Sequence, residues 1–347
     1  MLLKSSFDIV IIRGICNTDQ TDCEKCMKIL DLFCGAGGFS YGFKSYIDDT
    51  HLAIDTDPPS LETYKLNYPD SIIWQTDIHS LHSTQIQETL NGVPNIIIAS
   101  PPCEEFSKAN PDSIKSAAER VYGEGSAKLL LDAIRIIGDL SPQVFVIENV
   151  AALLNAGGKE IIQKEFERVG IDDAKINMIR AHQHGNPSRR LRVFISNIRL
   201  KLPRKAPPTV IDAIGDLPRL RLNQLFDPEL EVPNHIDYPL SEERMKAISR
   251  TRWGQGVRRF RVSKARSLPN WVRLFPDQLS TSINGLSRYI HPYENRLLTV
   301  REHARLMSYP DSFVFTGFSD SQYNQVGESV PPVVSQLIAQ EVCTKID

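Results

Sequence analysis

Short apolar, β-branched runs alternate with stretches of helical periodicity through the first half of the chain. "KILDLF" (28–33), "HLAID" (51–55), "SIIWQ" (71–75), "NIIIAS" (95–100), "VFVIEN" (144–149) and "RVFISN" (192–197) read as strands, rich in Ile, Val and Phe. Between them, "SLETYKLNY" and "SAKLLLDAIRIIGDL" carry the spacing of helices. Strands separated by helices predict an α/β fold: a mainly parallel, doubly wound, Rossmann-like sheet covered by helices. After Asn197 the pattern decays into Pro-rich, basic sequence ("LKLPRKAPPTV"). Helical periodicity returns in "TVREHARLMSY" and in "PPVVSQLIAQEVCTKI", whose opening prolines suit a helix start.

Each strand end carries chemistry. The first runs into "DLFCGAGGFSYGF": a strand, a Gly-rich turn and then a helix, the shape that holds a nucleotide-type cofactor at the carboxyl edge of a parallel sheet. Gly35, Gly37 and Gly38 would let the backbone approach a ligand and adopt positive φ. The turn is neither a P-loop nor a clean G-x-G-x-x-G, so on its own a tight turn with close helix packing also explains it. The second strand ends in Asp55-Thr56-Asp57, where a carboxylate could accept hydrogen bonds from both hydroxyls of a ribose. The third is followed by Thr76-Asp77-Ile78, where an acid could meet an adenine amino group. Singly, each acid also suits a helix N-cap or a solvated loop. Together, three successive strand ends point to an adenosine-containing cofactor.

The fourth strand delivers Ser100-Pro101-Pro102-Cys103. A free cysteine is commonly a buried thiol, and no second Cys or His lies nearby to complete a metal site. The fifth strand ends in Glu148-Asn149-Val150, and a carboxylate closing an apolar run is costly to bury without a partner. In "GNPSRRLRVF", Arg190 and Arg192 stand two apart on one face of an extended segment, suited to a carboxylate or a phosphate. A thiolate, a carboxyl group and guanidinium groups beside such a cofactor suit methylation at carbon 5 of cytosine. That carbon is a poor nucleophile until a thiolate adds at carbon 6 and creates an enamine. A carboxyl group at N3 and the amino group would stabilise the developing charge, with arginines orienting it and holding O2. Methylation of an exocyclic amino group needs no thiol.

Charge changes the picture in one place. The net charge of −2 hides a run, "RTRWGQGVRRFRVSKAR", in which every ionisable residue is basic: Arg250, Arg252, Arg258, Arg259, Arg261, Lys264 and Arg266. Trp253 and Phe260 are interleaved. A solvated surface is one reading; a phosphate-tracking surface for nucleic acid is the sharper one, favoured by such asymmetry in a near-neutral chain. The 347 residues allow one large domain and a smaller one, and no apolar run approaches the ~20 residues of a membrane span. The N-terminus does not read as a signal peptide, and six irregularly spaced cysteines suggest a reducing, cytoplasmic setting. Cys16, Cys23 and Cys26 match no zinc-finger spacing, so no metal is expected.

These motifs, in this order, resemble the DNA (cytosine-5) methyltransferase family. "DLFCGAGGFSYGF" looks like its S-adenosylmethionine loop, "SPPCEEFS" its nucleophile motif, "ENV" its carboxylate motif and "RRLRVF" the end of its arginine motif. "NRLLTVREHARLMSYPDSFVF" and "GESVPPVV" are similar to its two closing motifs. The resemblance runs from about Lys28 to the C-terminus and is weakest between Leu200 and Asn295. It implies Cys103 as nucleophile, Glu148 as the cytosine-binding acid, and Arg190 and Arg192 as supports. It implies Phe33 against the adenine, Asp55 with the following Thr56 at the ribose, and Asp77 and Ile78 near the adenine. Pro102, Leu129 and Ser329 would complete the pocket, and Ser107 would touch a backbone phosphate.

The resemblance further implies a Rossmann-like, S-adenosylmethionine-dependent methyltransferase fold with a small, irregular target-recognition domain. Its division would be an N-terminal extension (1–27), a discontinuous catalytic domain (28–197 and 300–347) and the recognition domain (198–299). Duplex DNA with a flipped base would be the partner of a monomer, nucleoid-associated in a prokaryote, with room for a cognate restriction endonuclease. A branch of the family that methylates tRNA, and a weakly active DNA-binding regulator, would carry the same motifs. Four departures stand out: Glu104 and Ser188 where the family has Gln, Glu328 where it has Asn, and Asp55 for the commoner Glu. None removes a residue that covalent chemistry requires. The two added carboxylates would bear on DNA binding, cofactor binding or loop closure.

Overall fold

Runs such as Ile29–Leu32 (β1) and Ile96–Ala99 (β4) are buried at every position, because layers of helix cover both faces of a parallel sheet. The structure, a computed structural model, describes residues 27–46, 50–102, 119, 121–123, 125–220, 232–258 and 267–346, with the backbone alone at 258 and 267–270. Cys103, Glu104, Ser107, Arg259, Arg261, Lys264 and Arg266 lie outside the described residues, as do Cys16, Cys23, Cys26 and the side chain of Arg258.

The other strands of the main sheet are His51–Asp55 (β2), Ile72–Gln75 (β3), Val144–Val150 (β5), Lys175–Arg180 (β6) and Leu191–Ser196 (β7). Among the described residues they form one seven-stranded sheet in the order β3-β2-β1-β4-β5-β7-β6. The first five run parallel, and β7 lies antiparallel to β5 and β6. The sequence reading missed β6. Its "KINMIR" is a half-exposed edge strand, and its lysine, asparagine and arginine dilute the apolar signal.

The helices are Pro58–Asn67 (α1), Ser83–Thr89 (α2), Leu129–Leu140 (α3), Gly158–Arg168 (α4), Val210–Ile214 (α5), Glu242–Ser249 (α6), Val300–Leu306 (α7), Ser319–Glu328 (α8) and Pro332–Cys343 (α9). On one face of the sheet, Ile86, Ile134, Ile137 and Phe166 pack with Leu30, Ile97 and Ile147. On the other, Phe39 and Phe43 pack with Val334, Ile338 and Val342 of α9. The Gly42 amide donates to Ser335 Oγ at 2.9 Å, so the last helix seats directly on the segment that follows β1. A third cluster joins Tyr64 and Tyr68 to Val210, Ile214, Leu274, Ile283 and Tyr323. Packing therefore continues past Asn197. Farther out, Gly256–Arg258 (β8) and Ser267–Val272 (β9) form a two-stranded antiparallel ladder.

Candidate active site and nucleic-acid interface

The parallel register sets the chemistry-bearing strand ends side by side. Leu32 is level with Ile54 and with Ala99, and Ala99 is level with Ile147. The residues that follow emerge in one row: Gln75, Asp55, Phe33, Ser100 and Glu148. Backbone bonds stitch the row together, Thr76 N to Asp55 O at 3.0 Å, Cys34 N to Ile54 O at 3.1 Å and Ser100 N to Leu32 O at 3.1 Å. A crevice beyond the carboxyl ends of such strands is where open α/β sheets bind ligands.

Phe33 turns the chain out of β1 at φ +59°, a left-handed conformation that a non-glycine residue holds only when its surroundings enforce it. Gly35 follows at φ +51° with open space where a Cβ would stand, and its amide donates to Asp55 Oδ2 at 2.8 Å. Asp55 Oδ1 accepts from the amides of Thr56 and Asp57 at 2.7 and 2.9 Å, so this acid shapes the loop it was expected to serve. Asp77 is exposed and caps the next turn, accepting from His79 N at 2.9 Å. Ile78 sits differently from Asp77: its side chain is core, packed with Leu52 and Ile54. Pro102, Leu129 and Ser329 are each half-buried.

The other two glycines correct the expectation that all three admit a ligand and take positive φ. A Cβ on Gly38 would lie 2.4 Å from Tyr309 Oη and 2.6 Å from Ser329 Cβ, and Gly38 is absent from the left-handed glycines. Its smallness lets the C-terminal segment dock. Gly37 is at φ +91°, and its Cβ would lie 2.3 Å from Tyr68 Cε2. Gly37→Ala is expected to cost about 1–3 kcal/mol of stability through overpacking and strain and to raise the cofactor Kd. Thermal melts with and without S-adenosylmethionine check both.

Glu148, 6% exposed, closes β5. Arg192 enters from the antiparallel β7, its Nε 2.9 Å from Glu148 Oε1. This is ion-pair distance, but off the line of a hydrogen bond, and Oε1 has no hydrogen-bond partner among the described residues. A buried carboxylate held by charge alone keeps lone pairs for another donor. Next to it, Asn149 Nδ2 donates to Pro101 O at 3.2 Å, tying the carboxylate strand to the segment that leads into Cys103.

Arg190 departs from its expected role as a companion of Arg192. It lies just ahead of β7 and is 1% exposed. Its guanidinium donates to the carbonyls of Ile283, Gly327 and Ser329 at 2.7, 2.9 and 2.8 Å. It therefore fastens the segment ahead of β7 to the loop at Ile283 and to the end of α8. Ser188 is buried, accepting from Asn186 Nδ2 at 2.8 Å, and pairs in a short bridge with Ser280. Glu328 is exposed and stands beside the turn at Gly285.

Asp31 escaped the sequence reading because it sits mid-strand among leucines. It is fully buried under the glycine loop and accepts from Ser40 Oγ at 2.5 Å. Ser40 Oγ also meets Tyr64 Oη at 2.6 Å, and Tyr64 Oη lies 2.8 Å from His51 Nε2. Burial, partly offset by the Ser40 bond, pushes the Asp31 carboxyl up to about 8.

Of the basic stretch, Arg250 and Arg252 are described and exposed. Trp253 is 47% exposed, with Phe275 and Tyr293 at 37% and 62%. Their ring centroids lie 6.4 and 6.2 Å from the indole, so three aromatics stand as one open patch beside the arginines. Phe275 and Tyr293 lie outside the basic run, which is why a scan of that run omits them. Beneath the patch, Arg273 bonds the carbonyls of Ile248, Thr251, His291 and Glu294 and the side chain of Asn295, all within 3.0 Å. One planar fork thus gathers both segments that carry the aromatics.

Known proteins resemble this chain along most of its length. A candidate type II methyltransferase of Methanocaldococcus jannaschii is 39% identical over 323 residues, covering 91% of this chain and 99% of its own length. The type II methyltransferase M1.HphI of Haemophilus parahaemolyticus is 32% identical, over 91% of this chain and 87% of its own. A crystal structure described as a prophage-encoded DNA modification methyltransferase of E. coli shares the fold at TM-score 0.71 and 23% identity, over 92% of this chain and 99% of that one. The profile of the C-5 cytosine-specific DNA methylase family matches residues 27–344. The chain belongs to that family and is a DNA (cytosine-5) methyltransferase.

Proposed function

We propose that this enzyme transfers methyl from S-adenosylmethionine to carbon 5 of a cytosine in a specific duplex DNA site, after covalent addition of Cys103 to a flipped base. The observation that carries the proposal is the buried Glu148, on the strand beside the one that runs into Cys103, paired with Arg192 of β7. The strand-end row fits the cofactor: open space in front of Gly35, the left-handed Phe33 for the adenine, and Asp55 and Asp77 for polar groups. S-adenosylmethionine supplies an electrophilic methyl group at this site.

The chain's own residues do the rest. The Cys103 thiolate adds at carbon 6 of cytosine, and carbon 5 takes the methyl group. Loss of the carbon-5 proton then expels the thiolate and restores the ring. Glu148 binds N3 and the amino group, favouring the addition, and Arg192 orients the carboxyl group and reaches toward O2. Ser107 and the basic stretch, Arg250, Arg252, Arg258, Arg259, Arg261, Lys264 and Arg266, contact phosphates. Catalysis belongs to 28–197 with 300–347, and recognition to 198–299. The enzyme acts as a monomer, and a cognate endonuclease would complete a restriction–modification pair.

Duplex DNA in which 5-fluorocytosine replaces cytosine tests the reading, because fluorine blocks loss from carbon 5 and traps the adduct. With S-adenosylmethionine, a denaturation-stable protein–DNA complex is expected, and methylation-sensitive sequencing should map one short site. Absence of the adduct on DNA, or its formation on tRNA alone, would overturn the proposal.

A further inference from the structure

A second cationic surface lies outside the basic stretch. β6 ends at Arg180, paired with Leu191 where β7 begins, and the neighbouring Arg192 pairs with Val150 at the end of β5. Arg180 therefore stands at the same sheet edge as Glu148, two strands over and three residues further along, or about 14 Å at the usual strand spacing and rise. From there the chain turns through Ala181–Gln183, and the segment after β7 comes back against it. Lys205 N donates to Gln183 O at 2.9 Å, and the His184 ring meets Pro203 O at 2.8 Å.

Between the two segments is a cleft of about 360 Å³ lined by His182, Gln183, Arg204, Lys205, Ala206 and Pro207. Arg204 and Lys205 are exposed, and no acidic residue lines the cleft. His182 Nδ1 is buried without a hydrogen-bond partner among the described residues. Burial, and then the nearby charges of Arg189 and Arg180, hold its imidazole below the usual histidine range. Among the described residues no acidic side chain pairs with Arg204 or Lys205: the cleft is cationic, shallow and set on the catalytic rim.

We infer that the cleft formed by His182, Gln183, Arg204 and Lys205, flanked by Arg180 and Arg189, binds backbone phosphates of the duplex beside the flipped cytosine. The inference rests on duplex DNA being the substrate. Its charge complements a polyanion, and its position at the rim beside Glu148 puts that polyanion next to the target base. Such contacts hold the duplex in register and carry no sequence information.

The test is a salt titration of duplex binding by the full-length enzyme and by the double variant Arg204→Ala/Lys205→Ala, on a methylated-site duplex and an unrelated one. Removing two phosphate contacts should make the log–log salt slope shallower by about 1.8 and weaken binding roughly 10–60-fold near 0.1 M salt. The loss should be alike for both duplexes, and Lys205→Glu should exceed Lys205→Ala. Unchanged S-adenosylmethionine affinity and melting temperature show that the variant is folded. Wild-type binding with an unaltered slope in the folded variant overturns the cleft alone, as does a loss confined to the specific duplex or to tRNA. A wild-type enzyme that binds no duplex overturns the DNA reading and the cleft with it.

Discussion

Cys103→Ser is expected to abolish methyl transfer and the 5-fluorocytosine adduct together, whereas Glu148→Gln should slow both by about 10²–10⁴-fold. The two changes separate nucleophile from orienting acid. A serine hydroxyl is a far weaker nucleophile than a thiolate. Glutamine keeps the shape of Glu148 and one acceptor oxygen, but gives up the charge that faces Arg192 Nε at 2.9 Å. Without it, Arg192 loses its carboxylate partner at this buried site, and the base loses a carboxyl group at N3. Rates from single-turnover methylation, measured beside S-adenosylmethionine affinity, check the pair. The residues that would hold the cofactor, Phe33, Gly35, Asp55 and Asp77, stand at or just after the ends of strands other than the one Glu148 closes, so cofactor affinity should persist in both variants.

Arg190→Ala is expected to cost about 3–5 kcal/mol of folding stability and most of the activity. The reason is arithmetic of acceptors: three carbonyls, those of Ile283 and Gly327 in buried bonds and that of Ser329 in a half-buried one, would lose their donor together. Each orphaned group costs about 1–3 kcal/mol, with partial relief from relaxation or entering water. Arg190→Lys should recover little, because one ammonium cannot reproduce a planar fork that serves two separate segments. Chemical denaturation measures the loss. If Arg190→Ala melted like the wild type, the guanidinium would not be what joins the segment ahead of β7 to the Ile283 loop and the end of α8.

These two arginines mark the boundary of what local sequence can say. Both were readable as charged residues at a strand entrance, two apart, and the spacing put them on one face. Only Arg192 reaches Glu148, because β7 runs antiparallel to β5 and brings Arg192 level with Val150. Where Arg190 goes is decided by carbonyls more than ninety positions away. The glycine loop divides in the same manner. Its presence after β1 was plain, but Gly37 and Gly38 owe their smallness to Tyr68, Tyr309 and Ser329, which only the folded chain brings near.

The sequence by itself determined the order of elements and the acid, amide and proline chemistry at successive strand ends, since burial on both faces writes continuous apolar runs and the polar residues that end them stand out. It also placed the basic run, a local feature of composition. Tertiary structure decided the rest: the edge strand β6, the aromatic patch on Arg273, the buried Asp31 under the loop, and the cleft between Gln183 and Lys205. Each depends on groups distant in the chain meeting in space. The energies that place them, desolvation of a carboxyl group or a guanidinium finding its carbonyls, exist only once the chain has folded around them.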